Sequence, residues 1–579
     1  MTRDRRRIML GILAAALVLG SFLINIKNIF TSCQVDAEYQ VAMAYRIVRG
    51  DRMFSEMWEA HQTSAFFLAF FEWIFLRVTG STTGIMVYAN AVGILCKTAV
   101  AFSVWHVLQK YSNRQAAFAA LLIALNAYPK DVVLPDFANL QIWFGLLVMC
   151  SLVCFLEEQQ KNRSILWLIA AAIALCLQVL AYPSCVLLWI GCVLCLWRYS
   201  EHKGRDILIF TAVCAVCGGG YLLYFMRGDP GQFFQYVYYI WSGDESHAVG
   251  MDTRLSLFGA DMLLLLSDLK YLGLVALGAA AAAWTGCKLT ARQLDKGELF
   301  YRGFGWVMVF YVLGYLLVLP GEDAGTKYHF FLLYVVVEVA AWISARDLDK
   351  RERRIFVIGQ IVGSCGFAAT LILSDMGLFS AFSYLIPAIC VSMIPLVHRM
   401  GKSAGLSGVT PVAFLCGVLL FRNAVYLNGW MEVPESFKED SIFGTTWTAE
   451  CGPLKGIRNG DGAYVADVTY REWQAEIPEG SKVLVISYPT LPATVYLNQD
   501  VEIAVDSTIS TPTYSDRLLD YWRENPEKYP DVVVVRCYDG VPLAGSYNRV
   551  TKWLEEEFPI GRTEEGQFWR YYFAEEQAR

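Results

Sequence analysis

Residues 63–78 read TSAFFLAFFEWIFLRV, a stretch apolar enough to leave water but short for a membrane crossing and interrupted by Glu72 and Arg77. Whether it crosses a bilayer or lies along its surface fixes the side of every later loop, because one crossing more or fewer inverts them all. The rest of the chain is plainly membrane-borne. It has 579 residues, 56% hydrophobic and 18% charged, and apolar runs of the roughly 20 residues that a helix needs to cross a hydrocarbon core recur along it. With 63–78 in the interface, spans fall at about 8–30, 83–107, 115–128, 140–156, 164–182, 184–197, 206–226, 256–285, 303–320, 329–344, 355–373, 378–396 and 409–427, about thirteen in all. The basic loops (Lys110 and Arg114, Lys161 and Arg163, Arg198 to Arg205, Lys288 to Arg302, Arg346 to Arg354, Arg399 and Lys402) then share the cytoplasmic side with Arg3, Arg5, Arg6 and Arg7. The positive-inside rule selects this interfacial reading.

The fold class expected is therefore an α-helical polytopic membrane protein carrying a C-terminal extracytoplasmic α/β domain. Residues 1–428 form the membrane domain and 429–579 the soluble one, since the texture turns polar after Trp430. The apolar stretch from Ile8 to about Ile26 reads as a first span, with a lipoprotein signal ending at Cys33 as the alternative. Most of the 16 cysteines lie in apolar spans and read as small core residues, and no zinc spacing occurs among them. Cys451 and Cys537 lie outside the spans, and an extracytoplasmic location would permit a disulfide between them. The net charge of −6 decides little, and no nucleic-acid partner is expected.

The parity of the spans collects the polar chemistry on the outer face. The first outer loop, QVDAEYQVAMAYRIVRGDRMFSEMWEAHQTSAFFLAFF (34–71), puts Asp36 and Glu38 just beyond the first span, with Ala42, Tyr45 and Ile47 marking a short helix. Carboxylates at a lipid boundary serve as general bases or cation ligands, because partial desolvation raises their proton affinity; the competing reading is a pair of solvated loop acids. Glu59, His61 and Gln62 stand where the apolar helix begins; Glu59 is read as an additional acid and His61 as a donor-phosphate ligand, and an isolated His61 is as readily a structural hydrogen-bonding group. Asp136 sits at the mouth of a span, after Asp131, as a second acid or as a helix cap. Lys327, Tyr328 and His329 open another span, as phosphate-holding cations or as ordinary interfacial anchors. The aromatic loop around Phe233 to Trp241 reads as a further interfacial helix.

An Asp and a nearby Glu after the first span, then a Tyr and an Ala-rich helix ending in Gly50, a Trp58-Glu59 pair and an apolar interfacial helix, together resemble the C-type (GT-C) glycosyltransferase fold. The likeness is greatest to the group of protein O-mannosyltransferases, lipid A aminoarabinose transferases and related sugar transferases of bacterial envelopes. It runs from Arg7 to about Phe330. It implies Asp36 as catalytic aspartate, Glu38 beside it, Asp136 as the second-loop acid, and Lys327 and His329 as cations on the carrier phosphate. Two departures stand out: Asp36-Ala37-Glu38 replaces the adjacent Asp-Glu of many relatives, and His61-Gln62-Thr63 replaces a Lys-Pro-Pro run. The resemblance implies a polyprenyl-phosphate sugar as donor, membrane lipids as surroundings, and an envelope acceptor whose class (glycan, lipid or protein) stays open. The expected step is a single inverting displacement in which Asp36 takes the acceptor proton while the cations offset charge on the leaving phosphate. No cofactor is called for. A divalent metal between Asp36, Glu38 and Asp136 would suit the chemistry and is left unassigned.

In the soluble part, 482–487, 532–536 and 568–573 read as strands and 515–524 and 548–557 as helices. A lipid or sugar flippase is the alternative function, weakened by the lack of an internal repeat and by the one-sided polar clustering. An anchored recognition protein is a third, but so many spans exceed what anchoring needs.

Overall fold

The computed structural model describes residues 3–33, 35–129, 132–158, 164–226, 230–242, 251–289, 325–373, 377–402, 447–459, 461–486, 501–505, 515–538, 541–542 and 548–575. Fourteen helices make up its membrane part: α1 Arg3–Thr31, α2 Val35–Arg49, α3 Gln62–Thr79, α4 Ile85–Tyr111, α5 Arg114–Asn126, α6 Phe137–Glu157, α7 Ser164–Ala181, α8 Leu188–Tyr199, α9 Lys203–Phe225, α10 Pro230–Ser242, α11 Met251–Leu289, α12 Gly325–Ser344, α13 Lys350–Leu373 and α14 Ile386–Lys402, with short turns at 183–187 and 378–385. Seven helices among the described residues are long and apolar enough to cross a membrane, and α5 and Pro183–Tyr199 are shorter apolar helices. The spans expected at 303–320 and 409–427, the basic loop at 288–302 and Asp131 lie outside the described residues. Tyr182-Pro183 divides two expected spans because proline has no N–H to continue α7 and disfavours helical backbone at the residue before it.

Helix α3 is held to the C-terminal unit on both sides. Four residues before it begins, the Trp58 carbonyl accepts a hydrogen bond from Arg517 at 2.9 Å. Just beyond it, Gly84 N–H donates to Gly452 O at 3.0 Å and Met86 N–H to Pro453 O at 3.2 Å. Both ends of the helix thus touch the C-terminal unit. Phe66, Phe70, Trp73 and Val78 are exposed along one side, while Ala65, Leu68, Ala69 and Glu72 are buried on the other. That division suits a helix lying at a lipid boundary.

The opposite face gathers the basic helix ends. Lys110 pairs with Glu158 at 2.5 Å, Arg351 and Arg354 with Glu157 at 3.0 and 2.6 Å, and Arg399 with Asp347 at 3.1 Å. Within the bundle, association rests on close packing rather than on expulsion of water. On α13, a Cβ added at Gly359 would meet the Val391 side chain at 2.5 Å and one at Gly363 the Ala388 N–H nitrogen at 2.7 Å, so the pair lets α13 and α14 approach backbone to backbone.

The C-terminal unit holds β1 Trp447–Thr448, β2 Arg458–Asn459, α15 Asp461–Glu476, β3 Lys482–Ile486, β4 Glu502–Ile503, α16 Ser515–Glu524, β5 Val532–Tyr538, β6 Val541–Pro542, α17 Asn548–Glu556, β7 Ile560–Glu565 and β8 Trp569–Ala574. The three strands and two helices expected from sequence are all present, and α15, β4 and β7 add to them. Strand order is β4-β3-β5-β8-β7, with β3 parallel to β4 and β5, and β8 antiparallel to β5 and β7. Val532 to Val535 are all buried, the signature of a central strand covered on both faces. Strand β7, IGRTEE, is almost wholly exposed and charged, which suits an edge that must not recruit a further strand. The expected boundary at 428/429 lies outside the described residues. Cys451 and Cys537 are both free thiols, the first donating to Asp467 and the second to Val535 O.

One close approach sets the site. A Cβ on Gly93 of α4 would lie 2.1 Å from Val133 O, within the loop that leads to Asp136. Gly93→Ala therefore has to displace backbone, and it is expected to cost about 2 kcal/mol or more in detergent unfolding titrations. Gly204→Ala, with nothing within 4 Å, is expected to change little in the same measurement.

Candidate functional site

The site is built where α2, the start of α3, the start of α6 and the turns before α8 and α14 meet. Asp36 stands in the first turn of α2, where carboxylates suit the positive helix end, and is half-buried. Helix α2 is tied to its neighbours by Gln40. Its Nε2 donates to Pro135 O at 3.3 Å, and its Oε1 accepts from Ser64 Oγ of α3 at 3.0 Å. Those two bonds lock the Asp36 helix to both the Asp136 loop and the interfacial helix.

Asp136 is fully buried and caps α6, its Oδ1 accepting from Asn139 N–H at 2.8 Å. Asn139 in turn donates to Val132 O and Leu134 O at 2.9 and 3.0 Å, which stiffens the loop. The cap expected as the plainer reading is thus present, with the carboxylate still facing the cluster around Tyr384. The Tyr384 hydroxyl is buried within electrostatic reach of Asp136, Asp36, Tyr182 and Cys185.

His61 lies flat on Phe137, with ring centroids 3.9 Å apart and planes at 8°, and stacks on Tyr182 at 5.8 Å. Tyr182 and Tyr384 are 6.3 Å apart, so His61, Phe137, Tyr182 and Tyr384 form one aromatic wall beside the acids. Glu38 and Glu59 have partners of their own. Glu38 is buried and accepts from Cys33 Sγ at 3.2 Å; burial, with the Glu38 carboxylate beside it, pushes the Cys33 thiol up. Glu59 is buried in an ion pair with Arg46 at 3.7 Å, which fits a structural charge. Lys327, Tyr328 and His329 lie in the first two turns of α12, and their side chains are outside the described residues. The helix leads from them to Phe331 and Tyr334, whose rings pack on Phe382 at 6.5 and 5.2 Å, two residues from Tyr384. Among the described residues no group of three His, Cys, Asp or Glu side chains gathers as a metal site would require.

Tyr182, Tyr384, Gln40 and Arg46 escaped the sequence reading. The first two had a signal: Tyr182-Pro183 interrupts an apolar stretch, and Tyr384 stands in FSAFSYLIP (379–387), hydroxyl-rich inside an expected span. Arg46 is one of four arginines of the first outer loop, with Arg49, Arg52 and Arg77, and these run against the charge rule. It is fully buried, its Nε donating to Asp51 at 2.9 Å and its Nη2 to Glu56 O at 2.6 Å.

No family model and no curated relative matches the chain. Among solved structures it is similar to ArnT from Cupriavidus metallidurans in the apo state, with 12% identity and a TM-score of 0.43 over 98% of each chain. The same protein bound to undecaprenyl phosphate gives 14% identity and a TM-score of 0.42 over 96% of this chain and 97% of that one. The Archaeoglobus fulgidus oligosaccharyltransferase in complex with zinc and sulfate gives 12% identity and a TM-score of 0.44 over 90% of this chain and 68% of that one.

Proposed function

We propose that the protein is a membrane-embedded glycosyltransferase that moves a sugar from a polyprenyl-phosphate donor to an envelope acceptor at the outer face. Residues 1–428 are the transfer domain and 429–579 its extracytoplasmic partner. The observation that carries this reading is the junction at which Gln40 ties the Asp36 helix to the loop of Asp136 and to the start of α3. It lies at the lipid-boundary end of the bundle, under a docked soluble unit and beside an aromatic wall. Aromatic faces stack on sugar rings. Carboxylates beside them stabilise the positive charge that grows on the anomeric carbon of a departing sugar.

In this mechanism Asp36, at the first turn of a helix held on both sides, takes the proton of the attacking acceptor hydroxyl. Asp136, at the N-terminus of α6, favours the oxocarbenium-like transition state. Lys327 and His329, entering from α12, offset the charge on the leaving phosphate, and His61 holds the wall against Phe137. The lipid tail remains in the bilayer, reached along the exposed aromatic side of α3.

Reconstituted protein, given a panel of radiolabelled undecaprenyl-phosphate hexoses and pentoses with an envelope extract, is expected to transfer label to acceptor. Asp36→Asn is expected to lower turnover about 100-fold or more with folding unchanged. Transfer at the wild-type rate would remove Asp36 as the base, and lipid movement across the bilayer without transfer would favour the flippase. Asp136→Asn keeps the cap and the thermal stability, whereas Asp136→Ala is expected to cost about 1 kcal/mol. Loss of turnover in both variants marks a role for the charge; loss in the alanine variant alone would reduce Asp136 to a cap. For sidedness, a membrane-impermeant maleimide should label Glu479→Cys on intact cells above the native background and Glu201→Cys only after permeabilisation. The reverse pattern would invert the topology.

A further inference from the structure

The loop between α2 and α3 is gripped by the C-terminal unit at five points. Lys528 Nζ pairs with Asp51 Oδ1 at 2.6 Å, and the other Asp51 oxygen accepts from Arg46 Nε at 2.9 Å. Glu56 O accepts both from Arg46 Nη2 at 2.6 Å and from Tyr521 OH at 2.9 Å. Asn525 Nδ2 donates to Ser55 O at 3.1 Å, and Arg517 Nη2 to Trp58 O at 2.9 Å. The Trp58 ring meets Tyr521 edge-on at 5.3 Å and Tyr236 of α10 at 6.0 Å. Met53, Phe54 and Trp58 thereby join the same buried apolar cluster as Val483, Val533 and Trp522 of the C-terminal sheet and helices. Within the loop Phe54 takes a left-handed backbone, φ 68°, that a residue with a side chain adopts at a cost. Its N–H donates to Gln62 Oε1 at 2.7 Å, and its ring sits between Phe225 and Phe233 at 5.0 and 5.1 Å. Strain of this kind persists only where the surroundings over-determine the conformation.

We propose that Lys528 and Arg517 are positioning residues for the transfer site, and that the C-terminal unit sets the orientation of α2 and of His61 by holding 51–59. The inference rests on the reading of Asp36 as base. Asp36 and Arg46 share α2, ten residues or about 15 Å apart along one rigid rod. Lys528 acts on the Arg46 end through Asp51. Arg517 acts on the other end of the loop, three residues before His61. Release of either anchor lets the rod pivot, and displacements of about 1 Å at a reacting group cost up to about 100-fold in rate.

Hydrogen–deuterium exchange on the full-length protein in nanodiscs tests the clamp without any ligand. Lys528→Met and Arg517→Ala should speed exchange across 46–61 while 532–538 stays protected, and Lys528→Arg should restore wild-type protection. Unchanged exchange across 46–61 overturns the clamp. With an undecaprenyl-phosphate hexose as probe, Lys528→Met should lower kcat about tenfold with KM within about twofold, and Lys528→Arg should recover it. A raised KM with kcat intact would assign the unit to substrate binding and overturn positioning. Asp36→Asn run alongside separates the two ideas, since full turnover there would remove the base and leave the exchange result to decide the clamp.

Discussion

A guanidinium with no exposed surface cannot shed its charge, so whatever surrounds Arg46 has to satisfy it. Burial works against that charge, but Asp51, Tyr521 and Glu59 outweigh it and hold the group firmly protonated. Two carboxylates, a carbonyl and a phenol from three segments are thereby recruited to one point. Removing one member of such a buried set typically costs about 3–5 kcal/mol, because the remaining charge is left uncompensated. Ion pairs of this kind are poor sources of net stability and good sources of uniqueness. Here the uniqueness is spent on geometry: the end of the Asp36 helix, the strained Phe54 turn and the face of the soluble unit share one arrangement.

The fold was largely legible because its strongest signals are physical necessities. A helix must be long and apolar to cross a bilayer, and Tyr182-Pro183 must end one. Val532 to Val535 can be buried on both faces only in a central strand. The surface course expected for α3 rests on charge alone, since the alternative would move the loops of Arg346 to Arg354 and Arg198 to Arg205 outside. Less legible were the elements whose identity depends on partners distant in the chain. Strand β7 carries almost no apolar residues, and it forms because β8 offers an open edge. Helix α15 hides behind a mixed composition and is fixed by Trp473 in the core and by Asp467, on which the Glu450 and Cys451 N–H groups converge.

The site was legible in its acids and obscure in its supports. Asp36 and Asp136 are conspicuous because carboxylates at span mouths are costly to place without a reason. The same argument also singles out Glu59, whose cost is met by Arg46, and a sequence cannot say which acid has found a structural cation. Tyr384 and Tyr182 come from segments about two hundred residues apart, and only the packing of α6 against the turns before α8 and α14 unites them. Gln40 was invisible for a similar reason: an amide in an amphipathic helix declares nothing until Pro135 and Ser64 are seen on either side of it.

Chemistry at a lipid boundary also faces a constraint that a soluble enzyme avoids. Helices in a bilayer are held mainly by close contacts such as those at Gly359 and Gly363, and they gain little from burying apolar surface against one another. The water-exposed ends of such a bundle are therefore its least restrained part, and that is where, under the proposed function, a carrier phosphate and a polar acceptor meet. A soluble unit has access to the full hydrophobic effect, about 25 cal/mol for each Å² buried. By enclosing Met53, Phe54 and Trp58 within its own core, this chain extends that stronger restraint onto the loop between α2 and α3. The polar contacts from Arg517, Tyr521, Asn525 and Lys528 then fix the loop's direction, which apolar burial alone leaves free. Placing Asp36 on a helix continuous with that loop lets rigidity generated in water act at the membrane surface.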